Sequence, residues 1–103
     1  MAVFGTPEYD RYTRLAEMMI SFLKERGYDY EADLNQDILD HDGPGVPVEN
    51  GVDAVIQFGL DPSEDMIVLF GQVHDENPWC GEEYERFREY LREREKERVK
   101  QKD

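Results

Sequence analysis

Two histidines, one cysteine and 25 acidic residues are the side chains of this sequence that could do chemistry, and their spacing limits what that chemistry could be. The nearest approach to a metal motif is Asp40-His41-Asp42-Gly43 followed by Glu49. Laid on the calcium-binding EF-hand loop, Asp40, Asp42, Gly43 and Glu49 take its third, fifth, sixth and twelfth positions. Ile38 then falls at the first position, where an acidic ligand is needed, and Pro44 and Pro47 oppose the flanking helical geometry. The stretch reads as an acidic loop that collects cations weakly. His41, His74 and Cys80 are too few and too irregularly spaced for a structural zinc site. Cys80 and a histidine could pair as nucleophile and base, but Asp75, Glu76, Glu82 and Glu83 set up a negative field that disfavours the thiolate. No glycine-rich phosphate cradle is present. No carboxylate pair stands out for hydrolysis, and a chain this small offers little substrate cleft. A binding protein with no catalytic residue, no metal site and no cofactor is expected.

The acids are the conspicuous feature. From Gly27 to Glu85 there are sixteen Asp and Glu and no Lys or Arg. Asp29, Glu31 and Asp33 alternate with apolar residues and are expected to form a ladder on the outer face of a strand, about 6.6 Å apart. Asp37, Asp40 and Asp42 follow in a loop, and Asp61, Glu64, Asp65, Asp75 and Glu76 form two further loop clusters. Trp79, between Pro78 and Cys80, either plugs the core or stands out as an anchor, since tryptophan is enriched in binding hot spots. These twelve residues form the expected partner-binding set.

A net charge of −13 over 103 residues repels nucleic acid and anionic lipid, so direct binding to either is disfavoured and a basic protein is the expected partner. Residues 1–91 hold 6 Lys/Arg against 21 Asp/Glu, while residues 92–103 hold 6 against 4, leaving a mildly basic tip. The longest apolar run, Met66 to Phe70, is far short of the roughly 20 residues that span a bilayer. The first residues lack the basic and apolar segments of a secretory signal, and a single cysteine excludes an internal disulfide, so a cytoplasmic setting is expected. Monomer and dimer both fit the sequence.

The elements that position these residues follow from periodicity. Thr6-Pro7 reads as a helix start and Gly27 as its stop; between them Tyr12, Leu15, Ala16, Met19, Phe22 and Leu23 recur every three or four residues. Period two then predicts strands over Tyr28 to Leu34 and Val52 to Leu60, with an apolar strand from Met66 to Val73. Asn35 to Gly51 reads as a loop. A second helix follows Gly81, with Tyr84, Phe87 and Leu91 on its apolar edge. The expected fold is a single small α+β domain in the order α-β-β-β-α, a three-stranded antiparallel sheet with helices packed on it. Residues 1–91 form the compact part and 92–103 a charged helical extension.

In shortness, acidity and helix-sheet-helix order the chain resembles small inhibitors of the DNA-mimic kind, including phage-encoded anti-CRISPR proteins. Asp29-Tyr30-Glu31-Ala32-Asp33, Asp37, Asp40-His41-Asp42, Asp61 to Asp65 and Asp75-Glu76 carry the resemblance, which is a charge pattern rather than a motif. It implies an acidic module that occupies a basic, nucleic-acid-binding groove on a partner and inhibits it by competition. A weaker likeness, to the YbjN and secretion-chaperone type of small α/β domain, rests on Leu15 to Leu23, Tyr28-Asp29-Tyr30, Val52 to Phe58 and Met66 to Val73. It implies a chaperone-like or regulatory interaction domain, of a kind that can dimerise, whose acids serve solubility.

Overall fold

The computed structural model describes residues 5–77 and 81–102. Five helices follow one another: α1 (Pro7–Glu25), α2 (Asp29–Asp42), α3 (Gly45–Gln57), α4 (Glu64–Glu76) and α5 (Gly81–Lys102). No strand forms among the described residues, so the expected α+β sheet is replaced by a helical bundle.

The ends of α1 are where the sequence places them. Thr6 is the N-cap, its hydroxyl accepting from the Tyr9 N–H at 3.2 Å, with Pro7 in the first turn. At the other end Gly27 takes φ +88°, Gly27 N–H donates to Lys24 O and Tyr28 N–H donates to Leu23 O. This glycine-centred pair of bonds satisfies the last carbonyls and turns the chain directly into α2. The same device ends α3, where Gly59 at φ +65° donates to Ile56 O and Leu60 donates to Val55 O.

Each expected strand is a helix, for a reason visible in which residues are buried. In α2 the alternation of Tyr28, Tyr30, Ala32 and Leu34 does not divide inside from outside: Ala32 is buried, whereas Tyr30 is 75% and Leu34 45% exposed. In α3 the buried residues include Val48, Gly51, Val52 and Val55, spaced three, one and three, with Pro47 and Ala54 beside them, and in α4 they are Met66, Leu69, Phe70 and Val73, spaced three, one and three as well. The expected loop over Asn35 to Gly51 is also largely helical. Pro44 is the N-cap of α3 and Pro47 lies in its first turn, where a proline removes no intrahelical bond. Asp61 to Asp65, expected as a loop between two strands, contains instead the start of α4: the Ser63 hydroxyl accepts from the Met66 N–H at 3.2 Å.

Packing is centred on α1, which contacts α2, α3 and α4, while α2 packs on α3 and α5 rests on α3 and α4. The core joins Leu15, Met19 and Leu23 of α1 to Val52 and Val55 of α3, Met66 and Phe70 of α4 and Phe87 of α5. The shortest dimension, 19 Å, corresponds to two layers of helix at about 10 Å each. Beyond Leu91, α5 continues to Lys102; Arg94 and Arg98 reach back to Asp61, and the Tyr90 hydroxyl donates to Leu60 O at 2.6 Å. No helix among the described residues is long and apolar enough to cross a membrane.

Candidate functional site

The twelve expected site residues divide once they are placed on helices. Asp29, Glu31, Asp33, Asp37, Asp40 and Asp42 all belong to α2. The strand ladder of Asp29, Glu31 and Asp33 does not exist, because on a helix residues two apart point to different sides. Instead Asp29, Asp33, Asp37 and Asp40, spaced four, four and three, form one exposed stripe. It extends about 16 Å at 1.5 Å per residue. Glu31 turns away from the stripe toward α3, and Asp42 ends the helix.

The stripe has few internal partners. Lys24 of α1 stands 3.7 Å from the Asp33 carboxylate, and Gln36 donates to Asp40 at 2.9 Å. His41 lies beside it: its Nδ1 donates to the Asp37 carbonyl oxygen at 2.8 Å and lies 3.4 Å from the Asp37 carboxylate. That backbone hydrogen bond, then the charges of Asp37, Asp40 and Asp42, raise the His41 pKa above its ordinary value. Tyr30 and Leu34 leave exposed apolar surface on the same helix.

The other acids lie elsewhere and several are engaged. Asp61 binds Arg94, with Nε at 2.8 Å, and so holds α5 to the α3–α4 connection. Glu76, at the end of α4, receives Arg11 of α1 in a two-point pair that holds its carboxyl below the usual range. Glu64 and Asp65 are exposed in the first turn of α4, where the helix dipole favours them, and Asp75 is exposed at its end. Since α2 and α4 pack on α1 as separate neighbours, the acids divide into the α2 stripe and two smaller groups at the ends of α4. Trp79 and Cys80 lie outside the described residues.

Among the described residues no group of three His, Cys, Asp or Glu side chains converges to hold a metal ion. Asp40 and Asp42 sit on the last turn of α2 and Glu49 on α3, so the stretch that partly matches a calcium loop is two helix ends around Gly43. Sequence reasoning passed over Asn35, which is 3% exposed and accepts from Asn50 across the α2–α3 contact at 3.0 Å. Its only sequence signal is a polar residue three after Ala32 and four before Leu39, on the inward side of a helix not foreseen.

No family model, curated protein or solved structure matches this chain. The residues that carried the chaperone likeness, Tyr28-Asp29-Tyr30, Val52 to Phe58 and Met66 to Val73, lie in or beside helices, and the sheet that the inhibitor likeness assumed is absent among the described residues.

Proposed function

We propose that this protein is an acidic protein-binding module that seats the α2 stripe in a Lys- and Arg-rich groove of a partner and competes there with nucleic acid. The observation that carries this reading is the exposed row Asp29, Asp33, Asp37 and Asp40, with Lys24 as the one Lys or Arg paired to it among the described residues. Four carboxylates over about 16 Å come close to one strand of B-DNA, which places a phosphate every 3.4 Å or so of helix axis, about five over that length. A groove built for phosphates pairs equally well with a fixed row of carboxylates, because charge-assisted hydrogen bonds from Arg and Lys suit both. The lone cysteine fits action in a reducing, cytoplasmic compartment.

The test is capture of partners from source-cell lysate at low and at high salt. A basic partner should be held at low salt, released at high salt and displaced by added duplex DNA or by RNA. The variant Asp29→Lys/Asp33→Lys/Asp37→Lys/Asp40→Lys, confirmed helical by circular dichroism, should lose it. Capture of the same partner by wild type and variant alike defeats the proposal, as does capture that salt does not weaken.

A further inference from the structure

The side of α2 turned toward α3 carries a chemistry different from that of the stripe. A groove of about 280 Å³ runs between the two helices, walled by Glu31 and Leu34 of α2 and by Asp53 of α3 and Phe58 at its C-cap, with Asn35 and Asn50 between them. Phe58 is held flat against Tyr28, ring centroids 4.2 Å apart, so this apolar wall is fixed. No Lys or Arg lines the groove. Arg86 of α5 reaches Asp53 at one end, while Glu31 has no ion-pair partner among the described residues.

The amide pair is the informative part. Asn50 Nδ2 donates to Asn35 Oδ1, which leaves the amino group of Asn35 without a hydrogen bond to any described residue; the residue is 3% exposed, and this amino group keeps access to the groove. The carbonyl oxygen of Asn50, a half-buried residue, also has no hydrogen bond to a described residue. Exchanging oxygen and nitrogen in both amides leaves the same two unused functions, one donor and one acceptor. Both functions reach the groove, and this donor and acceptor side by side are the complement of the C=O and N–H of a peptide unit.

We propose that the α2–α3 groove binds an extended basic segment of a partner protein. Asn35 and Asn50 read one peptide unit, Glu31 pairs with a Lys or Arg, and Leu34 and Phe58 cover its aliphatic stem. A partner helix could not use the amide pair, since its backbone groups are bonded internally. Nucleic acid is repelled by the same carboxylates. This inference rests on the reading of the protein as a module for basic partners, and it adds where the partner's backbone is recognised.

The test is fluorescence anisotropy with a labelled, capped peptide of alternating Arg and Ala, about nine residues long and so able to span the groove at about 3.3 Å per residue. A second peptide is N-methylated at its central residues. The parent should bind, and N-methylation and Asn50→Ala should each weaken it about fivefold, the effect of one lost hydrogen bond. An unchanged thermal midpoint certifies the variant's fold, and the methylated peptide needs no variant at all. The proposal is overturned if the parent fails to bind at low salt, if the methylated peptide binds as tightly, or if Asn50→Ala binds unchanged. In each of those cases, loss of the captured partner on reversing the four α2 aspartates leaves the wider reading standing. Peptide binding that depends on Asn50 but not on those aspartates supports the groove and removes the stripe.

Discussion

Gly51 lies in the middle of α3, buried against Met19 of α1, and gives the sharpest test of how these helices pack. A Cβ added at Gly51 would sit 2.6 Å from Met19 Sδ, 3.2 Å from its Cβ and 3.3 Å from its Cγ. Carbon contacts settle near 3.5–4.0 Å, so the sulfur must swing away and the two backbones must part by a few tenths of an ångström. Such overpacking costs about 1–3 kcal/mol, whereas alanine exceeds glycine in helix propensity by about 0.8–1.0 kcal/mol. Gly51→Ala should therefore destabilise the protein by roughly 1 kcal/mol, within a range of about 0–2. In a Met19→Ala background, itself about 2–5 kcal/mol less stable, the Sδ and Cγ contacts are gone and only the 3.2 Å approach to the Cβ remains, so Gly51→Ala should cost less than in wild type and come out near neutral, within about 1 kcal/mol. Urea denaturation of the four proteins, compared by midpoint at constant slope, reads the coupling directly. If Gly51→Ala stabilises both backgrounds equally, the α1–α3 contact described above is wrong.

Three further outcomes follow from single contacts. Ser63→Ala should cost about 1 kcal/mol by uncapping α4, while Ser63→Gly should cost only a few tenths; denaturation curves that rank the two the other way would refute the cap. Tyr90→Phe removes the hydrogen bond to Leu60 O and should lose about 0.5–1.5 kcal/mol in thermal melts; an unchanged midpoint would show that the bond contributes nothing. Because Arg11 depresses the pKa of Glu76, that pair contributes stability above the unfolded carboxyl value of 4.5, and the contribution is lost as pH falls through the lower folded value. Glu76→Gln should therefore lose stability less steeply than wild type as pH falls below 4.5. Parallel acid limbs would contradict this.

Helix α1 is legible because Thr6-Pro7 and Gly27 bracket a stretch in which only the three-and-four period fits. From Val52 to Leu60 and from Met66 to Val73 so many residues are apolar that periods of two and of 3.6 both find matches, and β-branched content tips the reading toward strand. The deciding marks were short ones: Ser63 before Glu64-Asp65 is a helix cap as much as a turn, and Pro44 and Pro47 are compatible with a first helical turn. Exposed Tyr30 and Leu34 completed a false alternation, since surface apolar residues carry no period. The grouping of the acids depends on the element, so Glu31 parts from Asp29 and Asp33 while Asp37 and Asp40 join them.

Helix α2 bears six acids and no Lys or Arg, lacks a side-chain cap at Tyr28 and buries only Ala32 and Asn35. Like charges three and four apart oppose the helix, and Asp40 and Asp42 stand at the negative end of its dipole. Its amides should accordingly exchange with solvent through local opening before those of α1 or α4. A polycation that binds only the helical form draws the open form back by mass action. Deuterium uptake along α2 would then slow on binding even at amides that touch nothing, and the repulsion that makes this helix attractive to a basic partner also makes it report whether one is bound.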